Sequence, residues 1–365
     1  MSTAPDESDA SVKPDASSGR RLAALAEMSP VYFGMVMATG IVSLAAHMLA
    51  IDAVARALFQ LNVVVYAALW VLTALRWSVI RADSSILQRH DRSSQRSRVL
   101  HHGRGNKRHW RPVRPARGGA RRGHCARIVA IVLWIGLTYT IFAGMTIKKR
   151  KARLDRGVSG AWLLAVVATQ SIAVLGALLA PHFDPPHRVE MNFLALSMWL
   201  WGGMLYIWMM SLIFYRYTFF PFPPGDLSPP YWINMGAMAI STPAGSLLIV
   251  NAPDAPFLLS LLPFIKGFTV SYWATGTWWV PMLLVLAQWR HAYRRFPLKY
   301  DPLYWGAVFP IGMYAASTSE MIDAMGFSFL RFLPLAFLYA ALLAWLAAFV
   351  GFVLDLLCRL RTAAG

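Results

Sequence analysis

Long apolar segments recur along this 365-residue chain, and they constrain its fold more than any other feature. Each is about long enough to cross the roughly 30 Å hydrocarbon core of a bilayer. Nine such segments lie near residues 31–50, 54–76, 127–147, 160–181, 191–214, 231–251, 266–289, 302–322 and 329–357. Because a segment inside a bilayer must satisfy its backbone polar groups internally, these segments are expected to be helices. The sequence therefore predicts an all-α, polytopic membrane protein that has the lipid bilayer as a partner.

The composition excludes most other classes of protein. Hydrophobic residues make up 57% of the chain and charged residues 14%, against roughly 25% charged residues in soluble domains. Cys125 and Cys358 form neither a disulfide framework nor a zinc-binding spacing. Ionisable residues are nearly absent from the apolar segments, which argues against a haem enzyme and a carboxylate-based proton pump. We therefore predict no enzymatic activity, no cofactor and no metal site.

The domain organisation is simple. Residues 1–29 are polar and contain no signal-peptide apolar region, so we expect a disordered tail that ends in a short interfacial helix. Residues 30–360 are predicted to form a single transmembrane domain, because the connections between segments are too short for a soluble one.

A strongly basic stretch interrupts this pattern. Residues 81–127 contain fourteen Lys and Arg and two Asp, which accounts for most of the chain's net charge of +18. A long cytoplasmic loop, a nucleic-acid-binding arm and a zinc site are alternative interpretations. Trp110 alone is a poor stacking platform for nucleic acid, and we predict no nucleic-acid partner. The candidate zinc ligands lack paired spacing; they are His101, His102, His109, His124 and Cys125.

The distribution of basic loops indicates that one crossing is missing. Basic residues follow the segments that end at 76, 147, 289 and 357, and cytoplasmic loops are the basic ones. Nine crossings cannot place these four clusters on one side of the membrane. One further crossing between 77 and 127 would make all of them cytoplasmic, with both termini inside the cell, in the inner membrane.

Four motifs resemble one family of membrane proteins. They are "SPVYFGMVMATGIVSL" (29–44), "GAWLLAVVATQSIAVLGALLA" (160–180), "LSPPYWINMGAMAISTPAGSLLI" (227–249) and "DPLYWGAVFPIGMYAAST" (301–318). In this order they are similar to the tellurite-resistance/dicarboxylate transporter family, which includes plant slow anion channels, malate permeases and sulfite exporters. The resemblance covers roughly 29–82 and 127–360.

The resemblance implies a fold and a function. Members of that family have ten spans, arranged as five helical hairpins around a central pore that the odd-numbered spans line, and they form homotrimers. It also implies transport of anions such as C4-dicarboxylates (malate), sulfite, chloride or tellurite-related ions. A membrane protein that does not transport is the alternative, either because the third span is lost or because the chain is a scaffold with a basic cytoplasmic arm.

The third span of that family often begins with a pattern similar to G-F-F-T-x-V-A-G-T. Allowed codons for 98–117, shifted by one base, permit a similar pattern. We therefore interpret residues 84–125 as an aberrant basic insert that replaces the third span, through an apparent frameshift.

Small, hydroxylic and helix-breaking residues are the candidate pore lining, because weak hydrogen-bond donors can replace part of an anion's hydration. The candidates are Gly34, Thr39, Gly40, Gln170, Ser171, Gly236, Ser241, Pro243, Pro310 and Ser317. Helix packing is the alternative role for each of them. The resemblance further implies that Phe309, directly before Pro310, plugs the pore as a gate.

Overall fold

The computed structural model describes residues 29–82, 117–149, 151 and 153–364. The predicted tail and most of the basic insert lie outside the described residues. So do the candidate zinc ligands, apart from the backbone of His124 and Cys125. All the candidate pore residues lie within the described part of the chain.

Nine long helices stand at the nine predicted positions, and the described residues contain no strand. They are α1 (Phe33–Met48), α2 (Asp52–Ala82), α3 (Arg117–Ile147), α4 (Leu164–Leu179), α5 (Pro185–Phe219), α6 (Ile233–Asn251), α7 (Leu262–Gln288), α8 (Trp305–Met325) and α9 (Phe332–Ala364). This confirms the predicted all-α fold. Helix α3 begins at Arg117, earlier than the predicted 127, so the last part of the predicted insert is helical.

The helix ends follow from local sequence. Single 3-10 turns precede α6 at Pro229–Trp232 and α8 at Pro302–Tyr304. Proline suits these positions because its missing N–H would have no helical partner there. Helix α8 ends at Gly326, whose φ of 76° places it in the left-handed region that glycine adopts without strain.

Six helices of the described chain are long and apolar enough to cross a membrane. They lie within Asp52–Arg76, Ile128–Ile147, Gly160–His182, Pro185–Phe219, Pro229–Asp254 and Ser328–Arg359. Helix α1 is apolar but has only 16 residues, about 24 Å of helix, and the 3-10 turn at Pro30–Tyr32 adds about 6 Å. Helices α7 and α8 are long enough to cross, but they are not among these six helices and carry several polar and aromatic side chains. The chain is thus a polytopic membrane protein.

The helices form four sequential hairpins. Helix α1 packs against α2, α4 against α5, α6 against α7, and α8 against α9. The first helix of each hairpin lies inside and the second outside: 94% of the α6 segment is buried, against 17% of the α2 and α9 segments. The predicted fifth hairpin would pair α3 with the missing span.

The four inside helices form a row that we call the inner arc. Helix α1 packs against α8, α8 against α6, and α6 against α4. The ends of the arc, α1 and α4, have no comparable packing against each other among the described residues. The inner arc is the element that positions the candidate site.

Candidate functional site

Indole groups from the outer helices hold the hydroxyl groups of the inner arc. Trp345 of α9 donates its indole N–H to the Thr39 hydroxyl of α1, at 2.9 Å. Trp134 of α3 donates in the same way to Thr169 of α4, at 3.0 Å. These threonine side chains therefore point towards outer helices and serve as acceptors between helices.

An indole of an outer helix also bonds to each of the other two inner helices, once at a hydroxyl and once at a backbone carbonyl. Trp273 of α7 donates to the Thr318 hydroxyl of α8 at 3.0 Å, and Trp199 of α5 donates to the Ser241 carbonyl of α6 at 2.9 Å. The Ser241 hydroxyl itself donates to the Ala237 carbonyl of its own helix. Each inner helix of the described chain is thus tied to an outer helix by one indole.

The predicted pore glycines lie at close contacts between helices. A Cβ atom built on Gly236 of α6 would lie 2.8 Å from Cγ of Pro310 in α8. One on Gly40 would lie 2.8 Å from the side-chain nitrogen of Asn62 in α2, and one on Gly34 would lie 3.5 Å from Cβ of Trp305. These contacts supply a packing role, and pore lining by the three glycines stays a prediction.

The other polar candidates are also engaged by neighbours. Gln170 is fully buried and donates from its side-chain nitrogen to the Trp199 carbonyl at 3.0 Å. Ser317 is fully buried and donates to the Tyr314 carbonyl. Ser171 is half-buried on α4, and Pro243 is buried within α6.

Phe309 lies on the sector of α8 between the contacts of this helix with α1 and with α6. A helix turns about 100° per residue, so Phe309 points between the directions of Gly312 and Pro310. Gly312 faces Ile41 and Val42 of α1, and Pro310 faces Gly236 of α6.

The convex side of α8 faces the outer helices. Thr318 bonds to α7, and the Tyr314 ring lies 4.3 Å from the ring of Phe337 in α9. Phe309 is half-buried on the opposite side of α8 and packs against the core of the bundle.

The membrane depth of the inner arc carries almost no charge. Among the described residues of α1, α4, α6 and α8, the acidic, basic and imidazole side chains are His47, Glu320 and Asp323, all near helix C-termini. The described residues contain no cluster of His, Cys, Asp and Glu that could hold a metal ion. What remains along the arc is apolar, hydroxylic and amide chemistry.

Two buried arginines lie at the end of the bundle where the inner helices begin, and neither was a candidate site residue from the sequence. Arg216, at the end of α5, is 4% exposed and contacts the Asp226 carboxylate at 2.6 Å, the Tyr231 hydroxyl at 2.7 Å and the Val158 carbonyl. Arg290 follows α7 and is 9% exposed. The sequence signal was a basic residue directly after an apolar segment: Arg290 entered the sequence analysis only as part of a basic loop, and Arg216 did not enter it at all.

Arg290 differs from Arg216 because it has no carboxylate partner among the described residues. Its terminal nitrogen donates to the Leu227 carbonyl, and the Phe296 ring covers its guanidinium at 4.4 Å. Its Nε–H is buried without a hydrogen-bond partner. Arg290 lines a small cavity where the N-terminal ends of α6 and α8 meet α7.

Comparisons with known proteins place this architecture in context. The profile of a family described as voltage-dependent anion channels matches residues 27–96 and 114–353. The match leaves out 97–113, which lie inside the basic stretch, and includes the flanking parts of the predicted insert.

Individual relatives share 22 to 39% sequence identity with this chain over different lengths. An uncharacterized membrane protein of Mycobacterium tuberculosis is 39% identical over 117 residues, which is 32% of this chain and 59% of the relative. The chain thus spans less than two thirds of that protein. Two uncharacterized transporters of Methanocaldococcus jannaschii are 24% identical over 204 residues (56% of this chain, 57% of the relative) and 22% identical over 333 residues (87% and 90%).

Proposed function

Because the chain belongs to the voltage-dependent anion channel family, we propose that it moves small anions across a membrane through a pore on the concave side of the inner arc. The anions are C4-dicarboxylates of the malate type or small inorganic anions such as chloride and sulfite. The observation that carries the proposal is an arc of buried helices with almost no charge along its depth. Weakly polar linings let anions pass without trapping them.

Phe309 is the proposed gate. It is the half-buried aromatic side chain in the sector of α8 between the contacts with α1 and α6, where its neighbours Trp305 and Met313 are fully buried. A ring at a narrow point of a pore obstructs ions sterically and by dewetting. Pro310 supports this position, because it packs against Gly236 and holds α8 close to α6.

Anion flux into liposomes that contain the purified protein tests the gate. We expect Phe309→Ala to raise chloride or malate flux several-fold, because the substitution removes the obstructing ring. Phe332→Ala is the matched control, since Phe332 lies on α9 and is 67% exposed. Equal flux through wild type, F309A and F332A, in a protein with measurable transport, would contradict the gate.

The second candidate function is a membrane protein that does not transport, because one wall of the pore is lost. Two observations favour it: α1 and α4 end the arc without comparable packing against each other, and the buried Asn62 of α2 has a carboxamide oxygen without a partner among the described residues. In this alternative, 84–125 is an out-of-frame stretch. A membrane scaffold with a basic cytoplasmic arm is the other form of a chain that does not transport.

Resequencing the gene and measuring flux separate these candidates. A frame change near codons 84 and 125, together with flux that appears only after the frame is restored, supports the loss of the third span. Sequencing reads that keep the frame through both codons rule out the frameshift. The family resemblance further suggests a homotrimer in the inner membrane, which the mass of the purified protein in detergent tests.

A further inference from the structure

We infer that the cavity around Arg290 is a binding site for a small free anion, at the end of the bundle that basic loops predict to face the cytoplasm. The inference takes its class of ligand from the proposed function. It concerns a site beside the pore, among α6, α7 and α8, rather than the pore itself.

The first argument is the cost of an unpaired buried charge. Moving a guanidinium out of water costs several kcal/mol unless an opposite charge compensates it. Arg216 meets this requirement with Asp226. Among the described residues, Arg290 instead meets the Leu227 carbonyl and the face of Phe296, and no carboxylate. Its Nε–H is buried without a partner among the described residues, as is that of Arg216, so the distinguishing feature of Arg290 is the missing carboxylate beside a cavity that it lines.

The second argument is that the remaining cavity wall supplies hydrogen-bond donors. Ser228 and Tyr304 line the cavity, and neither hydroxyl forms a hydrogen bond within the described chain. Asp301, the nearby acidic residue, accepts from the Leu303 backbone N–H at 2.8 Å and forms no ion pair with Arg290. Its carboxylate therefore caps the N-terminus of the 3-10 turn that precedes α8.

The helices around the cavity contribute partial charges of both signs. Ser228 and Trp232 belong to the start of α6, and Tyr304 and Ala307 to the start of α8. Helix N-termini carry partial positive charge and favour anions. The C-terminal end of α7, at Leu286 and Ala287, lines the same cavity and carries the opposite partial charge. The guanidinium and the two hydroxyls are therefore the groups that favour an anion here.

Anion titration of the full-length protein in detergent tests the site. Sodium chloride, malate and inorganic phosphate would be added separately against sodium gluconate at constant ionic strength. The readouts are the thermal unfolding midpoint and the difference in tryptophan fluorescence between the protein and its Trp232→Phe variant, because Trp232 lines the cavity and the chain has 15 tryptophans. We expect a saturable rise of the midpoint with at least one anion, because a ligand that binds only the folded state stabilises it.

Arg290→Gln is expected to weaken this binding at least about tenfold, because a charge-assisted hydrogen bond is lost. Lys299→Gln is the matched control, since it removes one positive charge from the same connection at an exposed position. Arg290→Lys keeps the test valid if R290Q fails to fold. This variant retains the charge without the guanidinium fork, so it should bind the anion more weakly than wild type but still saturably.

Three outcomes would overturn the site. They are equal binding by wild type and R290Q, a midpoint that follows ionic strength rather than any one anion, and a response to phosphatidylglycerol nanodiscs with none to the free anions. The last outcome would assign the cavity to a lipid headgroup. Binding without flux would retain this site and refute the proposed function, whereas flux without Arg290-dependent binding would do the reverse.

Discussion

At the scale of single residues, threonine hydroxyls inside the bundle accept hydrogen bonds from tryptophan indoles. Each of three threonine hydroxyls accepts a hydrogen bond from the indole N–H of an outer helix. The pairs are Thr39 with Trp345, Thr169 with Trp134 and Thr318 with Trp273. A hydrogen bond between helices in a membrane is worth about 0.6 to 2 kcal/mol. These three threonines therefore contribute first to helix packing, whatever their contact with a passing anion.

Thr39→Val distinguishes the two roles of this candidate pore residue. Valine has nearly the same shape but no acceptor, so we expect the unfolding midpoint to fall while anion flux through the protein stays unchanged. Thr275→Val is the control, because the Thr275 hydroxyl bonds only to Ser271 of its own helix on an exposed face. A clear change of flux in T39V, with an unchanged midpoint, would favour pore lining instead.

Pairs of helices in the inner arc approach closely because one partner is small at the crossing. Gly236 of α6 faces Pro310 of α8, and Gly312 of α8 faces Ile41 and Val42 of α1. Small residues at such positions let helix backbones come together, which is the usual basis of helix association in membranes. At the scale of elements, α8 is thus held between α6 and α1.

Gly236→Ala tests this contact. Its new Cβ would lie 2.8 Å from Cγ of Pro310, which is too close, so α8 must shift. We expect a loss of about 1 to 3 kcal/mol of stability, measured as a lower unfolding midpoint. Gly267→Ala on α7 is the matched control, because nothing lies within 4 Å of its added methyl group. If both variants melt at the same temperature as wild type, the close approach is not needed.

The whole bundle repeats one relation between hairpins. Three outer helices pack against the inner helix of the next hairpin: α3 against α4, α5 against α6, and α7 against α8. Helix α9 packs in the same way against α1, which joins the last hairpin to the first. Two relations have no counterpart in the described chain: α2 lacks a following inner helix, and α3 lacks an inner helix of its own hairpin. This is the place where the family resemblance puts the third span.

Labelling of Cys358 counts the crossings of the whole molecule. Cys358 is exposed near the end of α9. In a Cys125→Ser background, we expect a membrane-impermeant maleimide to label Cys358 only after permeabilisation, because ten crossings put both termini in the cytoplasm. A protease-sensitive tag at the N-terminus provides the internal reference. An internal N-terminus together with labelling in intact spheroplasts would mean an odd number of crossings and would contradict the tenth.

The sequence by itself determined the helical class, the positions of nine helices and the membrane environment. Hydropathy and segment length are local properties, and they decide whether a segment can cross a bilayer as a helix. The motifs around 29–44, 160–180, 227–249 and 301–318 were sufficient to indicate the family. Helix boundaries were less accurate, as at Arg117, because a helix extends beyond its apolar part wherever its backbone can still bond.

Only the tertiary structure decided which face of each helix meets which neighbour. The sequence suggested Thr39 and Ser241 as pore-lining groups. The Thr39 hydroxyl instead accepts from Trp345 of an outer helix, and the Ser241 hydroxyl donates to the Ala237 carbonyl of its own helix. Arg290 looked like one more basic loop residue until its burial without a carboxylate became visible. Such assignments depend on contacts between distant segments, and composition and spacing do not specify those contacts.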